Sequence, residues 1–293
     1  MSGAPLPTRV GKLRKLFALA ATALFCACGG GDLAANGGMS GTGISQGAVT
    51  SFGSVFVNGV EWELTSSTIE IDGAPAVESE LRLGMVVRIH GDLAADGTTG
   101  TAIDIVFDDT VEGPIEDDPV DFGPDGLEKS FSVLGTLIIM NEETTAFDGG
   151  ASFAELRRND VVEVSGFIDF IDDIGVVRAT RIRFVEVFQA DMSNVELRGL
   201  VSALVKNPDE SGDFNIGPIL VHYVASTDFS DLTRDSLANG SFIEAKGTLR
   251  IAGNDLDADE IELEIQGLGN ESIDDAEIEG FVSNFVSIGD FKV

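Results

Sequence analysis

Four aspartates in a predicted loop are the side chains best placed to bind a cation. They are Asp117, Asp118, Asp121 and Asp125. Carboxylate oxygens are the ligands that Ca²⁺ prefers, and binding groups are often carried on loops. Because the spacing of these aspartates matches no known calcium loop, we expect weak Ca²⁺ binding at most and predict no other cofactor.

A second acidic run, residues 255–259, begins like an EF-hand calcium loop. That loop requires a glycine at its sixth position and a bidentate glutamate at its twelfth. Here Glu260 and Gln266 stand at those two positions. We therefore predict that the run belongs to a strand whose acidic side chains face water.

The two histidines give little support to a catalytic site. His90 occupies a predicted outward strand position, and His222 adjoins Tyr223 in an apolar strand. We expect a solvated side chain at His90 and a hydrogen-bonded structural one at His222, with a functional role as the alternative for each. The sequence contains neither a His-Glu-x-x-His motif nor a phosphate-binding loop. We predict that the protein is not an enzyme.

Both cysteines, Cys26 and Cys28, follow a segment typical of exported proteins. Four basic residues fall within the first 15 positions, and an apolar run at 16–25 has the length of a signal-peptide core. Cysteines this close in sequence rarely reach disulfide geometry. The stretch 24–28 resembles a bacterial lipobox, which predicts a signal peptide at 1–27 and lipidation of Cys28. A plain secretory signal with incidental cysteines is the alternative.

The residues after Cys28 predict how the protein is held at the cell envelope. Residues 28–40 read as a flexible tether, and Gly29 at its start resembles lipoproteins sent to the outer membrane. The formal net charge of −32 argues against nucleic acid as a partner, because phosphate binding needs clustered Lys and Arg. An anionic membrane surface would repel the chain too, so we expect the attachment to rest on the lipid alone.

The chain contains three complete repeats. Each repeat has a strand that ends in glycine, at Gly91, Gly166 and Gly247. Each then has an alanine three residues before an isoleucine, in the pairs Ala102 and Ile105, Ala179 and Ile182, and Ala258 and Ile261. Such self-similarity predicts tandem domains, here at residues 41–110, 111–190 and 194–268.

Local patterns within a repeat predict five strands and one short helix. Residues 54–60 and 68–72 alternate as strands do, whereas residues 76–82 and 152–158 read as helix. Residues 103, 105 and 107 should share one face of the last strand. These elements predict an all-β protein with short helices, built from tandem small OB-like five-stranded barrels. An immunoglobulin-like sandwich is the alternative, but it would need about seven strands and no helix at that point.

The last segment, residues 274–293, reproduces the opening of the third repeat and then stops. We expect an incomplete fourth repeat that is poorly ordered or leans on the third, because two strands alone are marginal in water. This predicts that the natural form has at least four barrels. The three complete barrels are expected to be separable, with little fixed order between them.

Three runs of the first repeat resemble a known family. They are residues 41–47, 52–59 and 83–87, and they resemble tandem bacterial lipoprotein domains of the family called domain of unknown function 5666. The resemblance covers nearly all of the chain after Cys28. It implies repeated small barrels on an exported bacterial protein and carries over no catalytic residues, since the family is defined without an activity.

We therefore expect an exported bacterial lipoprotein that acts as a non-enzymatic binding or scaffold module, with a protein or another envelope component as its partner. Every repeat shares core residues and turn glycines but no polar constellation, which favours this interpretation. The alternative is an exported hydrolase with a carboxylate-based site between barrels.

Overall fold

The fold is almost entirely β, as predicted. The computed structural model describes residues 41–171, 174–230, 232–251, 255–264, 275–280, 283–287 and 290–292, all of which belong to one compact unit. The predicted signal peptide, Cys28 and the tether lie outside the described residues. Within the described part, no helix has the length and hydropathy needed to cross a bilayer.

The two segments predicted to be helical form turns instead. Residues 76–82 contain a single 3-10 turn at Glu78–Glu80, and residues 152–158 contain turns without a helix. Each segment is followed by a residue with positive φ, Gly84 (81°) or Asn159 (68°), which turns the chain into the next strand.

In the first repeat, the strand pairing closes a small barrel. Its strands are β1 (Gly41–Ser51), β2 (Val55–Val57), β3 (Val60–Glu63), β4 (Thr68–Ile71), β5 (Ala74–Pro75), β6 (Val86–Leu93) and β7 (Thr99–Phe107). β1 pairs antiparallel with β2 and β6, β2 pairs with β3, and β6 pairs with β7. β3 and β4 both run parallel to β7 and together form one side of a five-sided ring.

The third repeat has the same pairing. Its strands are β15 (Asn194–Lys206), β16 (Gly212–Ile216), β17 (Ile219–Tyr223), β18 (Asp228–Ser230), β19 (Phe242–Ile251) and β20 (Asp255–Leu263). β15 pairs with β16 and β19, while β17 and β18 run parallel to β20. The acidic run 255–259 lies in β20, so the prediction of a strand there is confirmed.

The second repeat lies between them and joins the third. Its strands are β8 (Val111–Pro114), β9 (Val120–Phe122), β10 (Glu128–Val133), β11 (Thr136–Asn141), β12 (Ala146–Asp148), β13 (Asp160–Ile171) and β14 (Ile174–Val187). β8 pairs antiparallel with β13 on one side and with β15 on the other. The second and third repeats consequently share one sheet and one continuous core. The prediction of little fixed order between barrels is therefore wrong for this pair.

The segment after the third repeat pairs with the first. It contains β21 (Asp275–Ile278), β22 (Ser283–Ser287) and β23 (Asp290–Lys292). β21 runs parallel to β1, with Gly43 opposite Asp275 and Gln46 opposite Ile278. The Ala48 amide donates to Glu279 Oε2 at 3.1 Å. The described part therefore leans on the first repeat and not, as one of the two predicted alternatives had it, on the third, because β1 offers a free edge that β21 can extend. The other alternative, poor order, stays a prediction.

A β-bulge explains the alanine–isoleucine spacing of the repeats. In the first repeat, His90 pairs with Asp104 and Gly91 with Ala102, so Ile103 is an extra residue. The extra residue brings Ala102 and Ile105 to the same buried face despite their odd spacing. Ile103 is instead 45% exposed, which corrects the prediction that it shares the face of Ile105. The equivalent shifts occur between Ser165 and Gly166 and between Lys246 and Gly247.

Each bulge is supported by a glycine and a hydroxyl group. A Cβ atom on the closing glycine would collide with a backbone carbonyl of the partner strand, at Thr101, Arg178 or Asp257. A hydroxyl group then donates to the carbonyl of the bulge alanine, from Ser67 at 2.7 Å and from Thr145 and Thr227 at 2.8 Å. The three repeats therefore share a β-bulge that is supported by a glycine and a hydroxyl group, and the role of these residues is structural.

Phenylalanine side chains from the strands contribute to the core. Phe107, Phe131 and Phe214 are buried, while Phe56 and Phe184 are half-buried. The first repeat has its own core, which includes Trp62 against the barrel wall. Each buried side chain of this size contributes about 1.5–3 kcal/mol, so stability comes mainly from these cores.

Candidate functional site

Charged side chains form a row across the shared sheet. Directly opposite pairs place Arg183 beside Glu163, Glu163 beside Glu112, Glu112 beside Glu196, and Glu196 beside Lys246. Residues opposite one another on neighbouring strands project from the same face. Three glutamates thus stand side by side, with one cationic residue at each end.

Glu163 in this row and the nearby Glu244 form ion pairs with cationic side chains. Glu163 is 3% exposed and accepts hydrogen bonds from Arg181 and from Arg183 Nη1, the latter at 2.6 Å. Glu244, which is 1% exposed, accepts from Arg198 Nη2 at 2.6 Å and lies 3.0 Å from Lys246 Nζ. Glu196 lies farther from its cation, at 3.4 Å from Lys246 Nζ.

Three of the carboxylates converge where the repeats meet. One ligand oxygen from each of Asp72, Asp109 and Glu196 lies within 4.8 Å of the other two. This is the only such group of three among the described residues of the chain. Asp72 belongs to the first repeat, Asp109 to the connection into the second, and Glu196 to β15 of the third.

Local structure places each of these side chains. Asp72 (φ 49°) and Gly73 (φ 74°) form the two-residue turn between β4 and β5, a turn type in which both central residues need positive φ. The Asp72 amide donates to the Phe107 carbonyl at 2.9 Å, and the Asp109 amide donates to Asp72 Oδ1 at 3.1 Å. The turn and the connection are therefore held against each other.

Asp109 is the most constrained of the three residues. Its side chain is 1% exposed, and its Oδ1 atom has no hydrogen-bond partner within the described residues. Arg198 approaches it, but Nη1 donates to the main-chain carbonyl of Asp109 at 2.5 Å, while other atoms of the guanidinium contact Glu244 and Glu264. The hydrogen bond from Arg198 therefore goes to the main chain of Asp109 and not to its Oδ1 atom.

Burial dominates the electrostatics of the cluster. It raises the pKa of Asp72 to about 6, that of Glu112 to about 7 and that of Glu196 to about 8. Burial and the neighbouring carboxylates of Glu196 and Asp72 raise the pKa of Asp109 well above its usual value. The pKa of Lys246 is raised as well, because the attraction of Glu244 and Glu196 outweighs its burial. Such a cluster can hold protons or a cation.

The first two repeats also meet away from the carboxylates. The Val86 amide donates to Ser165 Oγ at 2.8 Å, and Thr180 Oγ1 donates to the Gly84 carbonyl at 2.5 Å. A Cβ atom on Gly84 would collide with the Thr180 carbonyl oxygen. This contact contradicts the prediction of little order between these two repeats.

The four loop aspartates lie apart from this cluster. Asp117, Asp118, Asp121 and Asp125 are all exposed. Asp118 Oδ1 accepts from the Arg158 amide and Asp125 Oδ1 from the Leu127 amide. None of the four belongs to a group of three converging carboxylates within the described residues. Calcium binding in this loop stays a prediction.

Both histidines contact an aspartate. His90 Nδ1 lies 2.9 Å from Asp104 Oδ2, and its side chain is 19% exposed. His222 Nδ1 contacts Asp213 Oδ1 on the neighbouring strand. The expected hydrogen-bonded environment of His222 is confirmed, while His90 is less solvated than predicted because Asp104 stands opposite it.

Residues 43–47 form a Gly-x-Ser-x-Gly string, the sequence pattern of the hydrolase nucleophile elbow. The structure places it inside β1, where Ser45 is 2% exposed and its Oγ atom accepts from Asn58 Nδ2 at 3.0 Å. The nucleophile elbow of hydrolases needs an exposed serine at a strand-to-helix turn. Ser45 therefore has the setting of a structural residue.

The repeats match a known family. The sequence profile described as "Domain of unknown function (DUF5666)" matches residues 46–105, 112–183 and 198–262. The chain belongs to the DUF5666 family. Two of the converging carboxylates, Asp109 and Glu196, lie between the matched DUF5666 segments, so the cluster depends on the tandem arrangement.

The other comparisons are weaker. No curated protein matches the sequence significantly. A single-stranded DNA binding protein from Thermus aquaticus has 13% identity and a TM-score of 0.26, over 55% of this chain and 94% of that one. The Drosophila Unr CSD456 structure has 11% identity and a TM-score of 0.20, over 78% and 99%. Similarities of this size do not bear on what this DUF5666 chain binds.

Proposed function

We propose that this DUF5666 protein is an exported, lipid-anchored module of the bacterial cell envelope that binds or positions a partner without catalysing a reaction. The observation that carries the proposal is the fusion of repeats through the β8–β15 pairing and the shared core. A fused array holds its surfaces in a fixed arrangement, which suits a scaffold. The features common to all repeats are the bulge, its glycine and its hydroxyl group. These features stabilise the backbone.

The array consists of three OB-like barrels. The ring of five sides in the first and third repeats supports this assignment, since in each repeat two short strands that run parallel to the last strand close the ring. In the second repeat, a bridge between Ile115 and Val133 takes the place of the pairing between first and second sides. Closure leaves few edges on which another chain could aggregate.

The anchor is the lipidated Cys28, and the outer membrane is its destination. Substitution Cys28→Ser should release an exported, soluble protein, because the lipid is the only attachment that the proposal includes. Cell fractionation with an antibody against the chain measures this, with Cys26→Ser as the matched control that stays membrane-bound. A Cys28→Ser protein that remains in the membrane fraction would contradict the anchor.

The binding role predicts a defined envelope partner and no role for nucleic acid, since the net charge of −32 repels phosphate. Crosslinking in intact cells, followed by mass spectrometry, should recover the same envelope component with the native chain. The component should be lost when exposed residues of the array are substituted. Recovery of nucleic acid, or of no reproducible component, would contradict the proposal.

A hydrolase is the second candidate because the structure does bring carboxylates together between repeats. Burial argues against it, since Asp109 is 1% exposed and a substrate could not reach its carboxylate. Turnover in a hydrolase screen that disappears in Asp109→Asn would reverse this ranking. We expect no turnover from either protein.

A further inference from the structure

Three acidic side chains at the junction of the repeats converge on one point. The oxygens of Asp72, Asp109 and Glu196 lie within 4.8 Å of one another. Two oxygens bound to the same Ca²⁺ ion can be up to about 5 Å apart, because Ca–O distances are about 2.3–2.6 Å. The three groups therefore stand where the ligands of one ion would stand.

A second observation concerns a single atom. Asp109 Oδ1 is buried and has no hydrogen-bond partner within the described residues. A buried carboxylate oxygen without a partner loses its hydration and gains nothing in return, which is costly unless a cation or a proton meets it. This atom belongs to one of the three converging carboxylates, so the missing hydrogen-bond partner falls within the cluster.

The protein cations nearby are already engaged. Arg198 contacts Glu244, Glu264 and the main-chain carbonyl of Asp109. Lys246 lies 3.0 Å from Glu244 and 3.4 Å from Glu196. Glu112 and Glu163 add further negative charge along the row. The cluster thus has more acidic than basic groups, and the two cations are shared with Glu244 and Glu264.

We propose that Asp72, Asp109 and Glu196 bind one Ca²⁺ ion that ties the first repeat to the third. The donors are all carboxylate oxygens, which suit hard cations rather than zinc or copper. Ca²⁺ fits better than Mg²⁺, since Mg²⁺ requires octahedral geometry at about 2.0–2.1 Å and keeps several waters, whereas Asp109 is almost fully buried. The ion joins residues 37 and 87 positions apart in sequence and so acts as a clip between repeats.

This site goes beyond the scaffold function and does not depend on it. It predicts that Ca²⁺ raises the melting temperature of the purified full-length chain after treatment with EDTA, in 150 mM salt to screen weak association with surface acids. Calorimetric titration should find one saturable site. Asp109→Asn should weaken this binding at least tenfold, and Glu196→Gln should do the same if the first variant folds poorly.

Two controls separate this site from the acidic surface. The double variant Asp117→Asn/Asp121→Asn removes two exposed acids and should bind and respond as the native chain does. In EDTA, Asp109→Asn should melt at a higher temperature than the native chain, because it removes a like charge without a change of volume. Equal Ca²⁺ binding by the native chain and Asp109→Asn, or no stabilisation by Ca²⁺, would overturn the proposal. Equal stabilisation by Mg²⁺ would overturn the choice of calcium.

Discussion

At the scale of single residues, the three repeats share the glycines and the hydroxyl groups that support their β-bulges. Gly91, Gly166 and Gly247 allow a strand to approach its partner where a bulge shifts the register. The hydroxyl groups of Ser67, Thr145 and Thr227 donate to the carbonyl of the bulge alanine. A buried carbonyl without a donor would cost about 1–3 kcal/mol. These residues therefore indicate a fold and not a binding site.

Gly247→Ala should destabilise the third repeat by about 1–3 kcal/mol, because the added methyl group would collide with the Asp257 carbonyl oxygen and force the strands apart. Chemical denaturation followed by circular dichroism measures the change. Gly175→Ala is the matched control, since its Cβ would lie 3.8 Å from the Phe170 ring and its φ is not positive. Equal stability of the two variants would show that the close approach is not needed.

At the scale of elements, β8 decides how the repeats are joined. This strand has a partner on each side, β13 in its own repeat and β15 in the next. Val111 on β8 stands opposite Leu197 on β15, and both are buried in the shared core. Loss of either repeat would expose apolar surface of the other.

A fragment of residues 111–268 should therefore melt in one transition and at a higher temperature than a fragment of residues 194–268. Each ~1 kcal/mol of lost stability lowers the melting temperature of a domain of this size by about 4–8 °C. Thermal melting of both fragments by circular dichroism measures the difference. Two separate transitions in the longer fragment would instead indicate independent barrels.

At the scale of the whole molecule, the tandem arrangement creates a concentration of negative charge that no single repeat contains. Asp72, Asp109 and Glu196 are 37 and 87 residues apart in sequence and meet only when the repeats are assembled. Arg198, Lys246, Arg181 and Arg183 pair with the surrounding acids. Assembly therefore carries an electrostatic cost that depends on pH and on bound cations.

In EDTA, stability should fall as pH rises from about 5.5 to about 8.5. The pKa values of Asp72, Glu112 and Glu196 in the folded chain, about 6, 7 and 8, exceed their usual values of 3.8 and 4.5. Above pH 5 the folded state therefore holds protons that the unfolded state has lost, and each further rise in pH favours unfolding.

Melting temperatures measured between about pH 5.5 and about pH 8.5 test whether stability falls as the pH rises. Glu112→Gln should flatten the profile because it removes one titrating group, whereas the exposed Asp121→Asn should leave the slope unchanged. Asp148 and Asp169, whose pKa values are lowered by hydrogen bonds, titrate below this window and do not obscure it. A melting temperature that rises with pH would contradict the prediction.

The sequence by itself determined the all-β class and the three repeats, because alternating residues and turn glycines are local signals. The stretch 54–60, predicted as strand, is instead the β2–β3 hairpin, whose turn residues Asn58 and Gly59 both adopt positive φ. The spacing of Ala102 and Ile105 was visible as a repeat, but its cause, the bulge, was not, and Ile103 was placed on the wrong face. A one-residue register shift depends on the partner strand, which the local pattern does not contain.

Only the tertiary structure decided how the repeats meet. The pairing of β8 with β15 and of β21 with β1 is non-local, and either strand could have found another edge. Asp72, Asp109 and Glu196 are three of 50 acidic residues, and nothing in their local sequence distinguishes them from the exposed aspartates at 117–125. Their significance comes from burial and convergence, which arise when distant segments pack and water is excluded.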